Sequence, residues 1–479
     1  MDPTYKMTTA IPASVLTPDS VETRLGTLRF FDGFPDEETV RKVYDNLDFQ
    51  RAVEVYLTAM PAASMSAIRS GLRAFCPGNG TVMIADTLLD SRSLVITANS
   101  ETVYVTNWLD TYDGPVVIDM PPGMLGMIDD SWSRFVTDLG VAGPDRGKGG
   151  KYLLLPPGYE GDVPDGYFVV RPRTYGHIMF SRGFLDHGDP RPAAESIRAG
   201  FRIYPLAAAA DPPAMEFVEM SGALLQAVFA SDATFYEQVA ETVRTEPLEA
   251  VDPETRGLLA SIGIRKDAPF APDARMRAIL AEAAAVGSAT ARALAFSTRD
   301  RAAFAYPDGG WKVPWIGNDY TFSPGGVLDL DARAGFFFPV WGISPAATVK
   351  MVGRGSQYVV CERDAAGRYL DGAKTYRLHL PPAIPVDDFW SLTVYDPQTR
   401  SMLQTDQRFP TAGSQRPGLE VNADTSVDVY VGPVPPPQGE ANWVQSIPGK
   451  GWFAMFRLYA PLEPWFDQTW RPGEFEPLD

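Results

Sequence analysis

The sequence predicts an α+β protein that is mostly β, with two antiparallel, jelly-roll-like β-sandwich domains, an N-terminal helical layer and a helical middle segment. The composition supports this class, because 42 Gly, 43 Pro and 11% aromatic residues supply many turns and large flat side chains. The hydrophobic period also changes along the chain, from helical spacing to strict alternation and back. The length of 479 residues is enough for about three domains.

The helical layer is predicted to follow an N-terminal arm over residues 1–35. Acidic residues at 36–38 favour a helix start, and apolar residues at helical spacing predict two helices as far as Pro61. A weaker third helix is predicted through Leu72. These helices open a predicted domain that spans residues 36–190 and includes the first β-sandwich.

Short β-branched or aromatic runs with a period of two predict the strands of both sandwiches. The runs are 94–97, 102–107, 115–119, 152–155 and 167–170 in the first half, and 357–361, 374–380, 390–395, 427–431 and 452–459 in the second. Residues 191–302 are predicted to be helical, with helix starts at Asp252 and Asp273. The C-terminal sandwich is assigned to residues 303–479.

Charge and cysteine content exclude several functions. A net charge of −18 repels phosphates and anionic lipids, so no nucleic acid and no membrane partner is expected, and an anionic ligand would need a local basic pocket. Cys76 and Cys361 are too few and too isolated for a disulfide framework, and buried thiols are expected.

Residues 1–30 lack the pattern of a signal peptide, which predicts a cytoplasmic protein, or a periplasmic one if a leader has been removed.

Common cofactor motifs are incomplete. The segment 143–151 fails the phosphate-loop spacing, and neither a dinucleotide fingerprint nor a nucleophile elbow occurs. With only three histidines a transition-metal site is not expected, and no cofactor is predicted. A divalent metal held by loop acids such as Asp129 and Asp130 is the alternative.

One polar segment is the leading site candidate. If residues 171–177 are extended, Arg171, Arg173, Tyr175 and His177 share one face, because strand side chains alternate. The arginines would then bind a carboxylate or phosphate, and Tyr175 and His177 would move protons. The alternative is a solvated strand face with a satisfied histidine.

A second cluster precedes an aromatic strand. Asn99 and Glu101 face one way and are expected to orient a water or stabilise charge, although a lone glutamate is more often on the surface. Tyr104, Trp132 and Tyr395 complete the expected substrate-binding set.

Several motifs together resemble a bacterial protein family. They are Asn99-Ser100-Glu101-Thr102-Val103-Tyr104, Trp108-Leu109-Asp110, Pro115-Val116, Gly317-Asn318-Asp319-Tyr320, the segment from Gly367 to Gly372 before Tyr376, Phe389-Trp390-Ser391-Leu392-Thr393-Val394-Tyr395-Asp396, Asn442-Trp443 and Arg457-Leu458-Tyr459. The family pairs domains of unknown function twelve-fifty-four (N-terminal) and twelve-fourteen (C-terminal). The resemblance implies two β-sandwich domains with helical elements in a homo-oligomer. Glu101 departs from it, because the family usually has aspartate there.

The residues favour an enzyme of hydrolase or lyase type acting on a small oxygenated or anionic organic molecule, by Tyr/His/carboxylate acid–base chemistry with arginine anchoring. The expected partner is a small-molecule substrate. The alternative is a non-catalytic protein that binds carbohydrate through Trp443, Trp465 and Trp470, or one that assembles through its aromatic tail at 459–470.

Overall fold

The computed structural model describes residues 6–478. Residues 1–5 of the predicted arm and Asp479 of the predicted C-terminal domain lie outside the described residues. Seven α-helices occur in the described chain: α1 (Glu37–Arg73), α2 (Arg191–Gly200), α3 (Thr234–Thr245), α4 (Pro253–Ser261), α5 (Ala274–Phe296), α6 (Leu330–Phe337) and α7 (Glu463–Phe466).

The separate helices predicted before residue 74 are wrong, because α1 is one continuous helix of 37 residues. Asp36 caps its first turn by accepting a hydrogen bond from the backbone of Thr39 at 2.7 Å. Pro61 stands inside the helix and removes one backbone hydrogen bond there. The residues around Pro61 are buried, so packing holds the helix together through the proline.

The starts predicted for the middle helices are confirmed. Asp252 accepts a hydrogen bond from the backbone of Thr255 at 3.0 Å and caps α4. Asp273 caps α5 in the same way through Met276, at 2.7 Å. These short polar side chains satisfy amide groups that the first helical turn leaves unpaired.

The first half of the chain contains thirteen strands in the described residues. They are β1 (Ser20–Thr23), β2 (Gly26–Phe31), β3 (Phe34–Pro35), β4 (Thr81–Ile84), β5 (Thr102–Asp110), β6 (Val116–Met120), β7 (Leu125–Asp130), β8 (Phe135–Gly140), β9 (Gly150–Leu154), β10 (Phe168–Val170), β11 (Gly176–Phe184), β12 (Arg202–Pro205) and β13 (Glu216–Glu219). The strand predicted at 94–97 is wrong, since only Leu94 forms an isolated bridge, to Gln226.

Strands β13-β4-β5-β11-β7-β8 form a six-stranded sheet that packs on the four-stranded sheet β10-β9-β6-β12. Val105, Ile118 and Leu154 are among the buried residues between them. Strands β12 and β13 come from the segment predicted to be helical, and they complete the edges of these two sheets. Strands β1, β2 and β3 form a small separate sheet within the predicted arm.

The second half forms another sandwich. Its strands are β14 (Ser356–Cys361), β15 (Tyr376–Leu380), β16 (Trp390–Tyr395), β17 (Thr411–Gly413), β18 (Val427–Gly432), β19 (Trp443–Gln445), β20 (Phe453–Tyr459) and β21 (Phe475–Pro477). The sheets β14-β20-β16-β17 and β19-β18-β15-β21 enclose a core that includes Leu378, Leu392 and Phe456. Most strand pairs are antiparallel, and the predicted α+β sandwich class is confirmed.

A third core joins the halves. Helices α1, α3, α5 and α6 pack together, and the same cluster includes Tyr104 and Phe180 from the first sandwich and Phe453 and Met455 from the second. By length and composition alone, α5 is apolar enough to cross a membrane. It lies along α1 with a buried face of small residues, as core helices of many proteins do.

The contact between α1 and α5 gives a stability prediction. A methyl group on Gly287 of α5 would lie 2.6 Å from Cγ of Tyr56 on α1. Gly287→Ala should therefore lower the free energy of unfolding in urea by about 1–3 kcal/mol.

Gly257→Ala is the matched control, because Gly257 lies inside α4 with nothing within 4 Å of the added carbon. It should raise the free energy of unfolding by about 0.5–1 kcal/mol. Equal effects of the two substitutions would contradict the close packing of α1 on α5.

Candidate functional site

A cleft lies between the two sandwiches, and the segments 314–315 and 340–347 contribute to its wall. It encloses about 870 Å³ of space between protein atoms, part of which is open to solvent. Most of its wall is apolar and comes from residues that include Ile96, Phe180, Trp315, Val340, Trp341 and Met455. The wall also contains a few polar side chains. A mainly apolar wall with a few polar groups is typical of small-molecule sites.

Two central strands direct side chains into the cleft. On β11 the wall residues are Phe180 and Arg182, and on β20 they are Met455 and Arg457. Residues two apart point to the same face of a strand, so each strand presents one apolar side chain and one arginine. The intervening residues of β20, such as Phe456, face the core of the C-terminal sandwich instead.

Arg457 is 3% exposed and held firmly. Its Nη2 donates to the carbonyl of Thr97 at 2.6 Å, and its Nη1 donates to the hydroxyl of Thr393 at 3.3 Å. The guanidinium carbon also lies 5.5 Å from the ring centre of Tyr395 and 5.9 Å from that of Tyr358. These contacts fix the cation between the domains.

Arg182 is held less completely. Its Nη1 donates to the hydroxyl of Tyr459 at 3.4 Å, and its guanidinium carbon lies 5.8 Å from the ring centre of Phe180. The Nε of Arg182 is buried and has no hydrogen-bond partner among the described residues. A buried donor without a partner is costly, so this atom is a candidate donor to a ligand acceptor.

Phenol groups surround the two arginines. The backbone amide of Asn99 donates to the hydroxyl of Tyr104 at 2.9 Å, and its side-chain amide donates to the hydroxyl of Tyr459 at 2.8 Å. The hydroxyls of Ser356 and Tyr358 are 2.6 Å apart. Burial raises the pKa of Tyr104 and of Tyr459, so these phenols stay neutral near pH 7.

The two cations therefore have no internal counter-charge. Within residues 6–478, no carboxylate forms an ion pair with Arg182 or Arg457, and the ionisable side chains that act on them are tyrosines. Neutral phenols offer hydrogen bonds but do not cancel a positive charge. The cleft is thus a local cationic site in an acidic protein.

One carboxylate is connected to the cleft through a lining hydroxyl. The hydroxyl of Ser344, which lines the cleft, donates to Oδ1 of Asp138 at 2.6 Å. Burial raises the pKa of Asp138 to about 6, with the hydrogen bond from Ser344 opposing that rise. A carboxylate with this pKa can accept a proton near neutral pH.

The predicted face at 171–177 does not form. Strand β11 begins only at Gly176, so the extended geometry expected for this segment is wrong. Arg171 and Arg173 are exposed, and Tyr175 is half-buried against Tyr112, with 5.2 Å between the ring centres. Arg171 and Arg173 border one surface depression, and a bend at 173–175 separates this segment from the strand that carries His177.

His177 lies on the face of β11 opposite to Arg182. It is fully buried, and burial lowers its pKa from 6.5 to about 3, so the ring is neutral at neutral pH. It does not line the cleft, and neither do Arg171, Arg173 and Tyr175. The roles assigned to these four residues stay predictions.

The other predicted residues divide between the cleft and its supports. Asn99 and Tyr104 line the cleft. Glu101 is buried outside it and accepts a hydrogen bond from Arg416 of the second sandwich at 2.9 Å. Tyr395 supports Arg457 and donates to the carbonyl of Ala98 at 2.6 Å. Trp132 borders a separate surface depression with Arg173.

The alternative metal site rests on acids that have other contacts. Asp129 and Asp130 lie in β7 and not in a loop. Asp130 pairs with Arg134 at 2.7 Å, and Asp129 accepts a hydrogen bond from the backbone of Ile343 at 2.8 Å. No group of three or more potential metal ligands occurs in the part of the chain that the structure describes.

Sequence reasoning missed Arg182 and Arg457, which line the cleft. Each interrupts a strand that is otherwise largely apolar, in HIMFSRGF and FAMFRLYA. Arginine is rarely buried unless it is paired, so an arginine in a central apolar strand is a usable signal. The sequence could not reveal which face of each strand meets the other domain.

Comparisons with known proteins match both sandwiches. Residues 79–205 match the model for a protein of unknown function, DUF1254, and residues 355–463 match the model for a protein of unknown function, DUF1214. The order along the chain is the order that the sequence motifs predict. These two matches support the resemblance to the family that pairs these two domains. A comparison with curated proteins found no match.

Two solved structures align with this protein over most of its length. The VPA0106 protein from Vibrio parahaemolyticus has a TM-score of 0.55 and 19% identity, over 91% of this chain and 100% of that one. A putative uncharacterized protein from Burkholderia cenocepacia has a TM-score of 0.40 and 13% identity, over 90% of this chain and 94% of the other. The first likeness shows that the fold is shared.

The pKa of His177 gives a prediction for His177→Leu. The folded protein keeps the ring neutral down to about pH 3, whereas the unfolded chain binds a proton near pH 6.5. The contribution of the ring to stability is therefore complete above pH 6.5 and falls as the pH drops towards 3.

Because of His177, the wild type should lose about 1.4 kcal/mol per pH unit in this window, and the variant should not. Urea unfolding of both proteins between about pH 7 and about pH 4 measures the difference. Parallel curves would show that His177 titrates normally.

Proposed function

We propose that this protein is an enzyme of hydrolase or lyase type that acts on a small organic anion in the inter-domain cleft. The supporting observation is the pair of guanidiniums of Arg182 and Arg457, which no carboxylate neutralises among the described residues. Removing a charge from water costs several kcal/mol unless a partner compensates it. A carboxylate or phosphate group of a ligand supplies that partner and accepts from the free Nε of Arg182.

Proton donors and a proton acceptor flank this anchor. Tyr104 accepts a hydrogen bond from Asn99, so its own hydroxyl proton is available to a leaving oxygen. Ser344 connects the cleft to the carboxylate of Asp138. In an elimination, a proton from a substrate C–H bond would move to the Ser344 oxygen while Ser344 passes its own proton to Asp138. The electron pair of that C–H bond would form the new double bond. The leaving oxygen would take the proton of Tyr104.

Hydrolysis uses the same groups differently. The Ser344–Asp138 pair would deprotonate a water molecule that attacks the substrate carbon, and Tyr104 would protonate the departing oxygen. The arginines would stabilise negative charge that develops on the substrate. Both reactions need the anchor and the acceptor to contact one bound molecule, and Arg182, Arg457 and Ser344 line the same cleft.

The alternative is a protein that binds an anion without changing it, because the arginines alone are sufficient for binding. Carbohydrate stacking has less support, since Trp465 and Trp470 are buried in the C-terminal core, with 6.4 Å between their ring centres. Trp443 is half-buried and donates to the carbonyl of Gly432 at 2.9 Å.

Arg182→Gln tests the anchor. Calorimetric titration with octanoate and with phenyl phosphate should show binding to the wild type, and the variant should bind about tenfold to hundredfold more weakly because a charged hydrogen bond is lost. The variant should also unfold at the same or a higher temperature, since it removes an uncompensated charge.

Arg191→Gln is the control, because Arg191 is an exposed arginine that pairs with Asp189. It should leave the affinities unchanged. Equal weakening by both substitutions, or no binding of either probe to the wild type, would refute the anionic cleft.

Asp138→Asn tests the chemistry. Its amide oxygen can still accept from Ser344, so octanoate should bind within about twofold of the wild-type affinity. Turnover of the substrate class that the wild type accepts, sought among aryl esters, lactones and β-hydroxy acids, should fall about hundredfold or more because the proton acceptor is gone. A wild type that binds octanoate and converts none of these classes would favour the non-catalytic alternative.

A further inference from the structure

A second cavity lies directly behind the apolar wall of the cleft. About 600 Å³ of space lies between its protein atoms, part of it open to solvent, and it is bordered by α5, α6 and β20, with residues that include Leu294, Phe296, Ala332, Phe336 and Phe453. Pro314, Val340 and Met455 line both this chamber and the cleft, so the two spaces share one wall. We name this second space the tail chamber.

Strand β20 connects the arginine anchor to the tail chamber. Arg457, Met455 and Phe453 occupy alternate positions and therefore share one face, with about 7 Å between successive side chains. Arg457 lies in the cleft, Met455 at the shared wall and Phe453 in the tail chamber. Methionine is unbranched and flexible, which makes Met455 the part of the wall that a ligand displaces most easily.

Among residues 6–478, no unpaired cation that would attract a second anionic group lines the tail chamber. Lys312 pairs with Glu362 at 2.8 Å and donates to the carbonyl of Ala295 at 2.6 Å. Asp331 is largely exposed and lies 3.6 Å from Arg299. The remaining wall is mainly hydrophobic, so the chamber suits hydrocarbon and not a polar chain.

We infer that the ligand of this protein is an amphipathic anion with an elongated apolar body, such as a medium-chain alkyl or arylalkyl carboxylate. Its head would contact Arg182 and Arg457, and its body would pass Met455 into the tail chamber. This inference rests on the proposed anionic cleft and adds the shape and polarity of the rest of the molecule. A small, fully polar anion would leave the apolar wall and the chamber unused.

The test is a chain-length series measured by calorimetry on the whole protein with butyrate, octanoate and dodecanoate, each below its micelle concentration. Burial of each added methylene should tighten binding by about fourfold until the chamber is full. Arg182→Gln should weaken every member of the series, because all share the same head group.

Ala295→Leu and Ala332→Leu each place a larger side chain on a residue that lines only the tail chamber. Each should weaken dodecanoate binding by about tenfold or more and leave butyrate within about twofold. Ala293→Leu is the control on the same helix, because Ala293 is exposed and lines neither space. It should change neither affinity.

The outcomes separate this inference from the anionic cleft. Butyrate binding that depends on Arg182, with no gain for the longer chains, would overturn the tail chamber and leave the cleft intact. A chain-length gain that survives both Ala295→Leu and Ala332→Leu would also overturn it, because the tail would lie elsewhere. Failure of all three carboxylates to bind would instead remove the anionic cleft itself.

Discussion

The uncompensated positive charge at the junction of the two sandwiches is the constraint on which this architecture depends. Arg457 reaches from the second sandwich to the carbonyl of Thr97 in the first half of the chain, while Arg182 comes from the central strand of the first sandwich. Neither sandwich alone assembles the pair. The cationic cleft therefore exists only while both domains are docked, and the docking contacts become part of the binding site.

The segment from residue 97 to residue 101 carries much of that docking. Successive positions contact the second sandwich: the carbonyl of Ala98 accepts from Tyr395, the side chain of Asn99 donates to Tyr459, and Glu101 pairs with Arg416. This explains why the strand predicted at 94–97 does not form where it leads into this segment. Its backbone groups bond across the domain boundary, where a regular sheet partner would have left no acceptor for Arg457 and Tyr395.

Local sequence signals predicted the parts of the fold that local physics determines. Alternation identified β5, β16 and β20, and capping aspartates located the starts of α4 and α5. The candidate site was predicted only in part, since Asn99 and Tyr104 line the cleft whereas His177 does not. Alternation shows that His177 and Arg182 lie on opposite faces of their strand. Which of these faces lines the cleft depends on packing against the second sandwich, which lies hundreds of residues later in the chain.

Neutral phenols around the arginines explain how the site can hold two cations and still attract an anion. Carboxylates at the positions of Tyr104, Tyr358 and Tyr459 would neutralise the guanidiniums and occupy their donors, which would close the site to an external anion. Phenols avoid this neutralisation, because burial keeps Tyr104 and Tyr459 protonated. They therefore form hydrogen bonds without cancelling the positive charge of the guanidiniums. Such a cluster would be less stable empty than filled, so an anion bound as we propose would contribute to holding the two domains together.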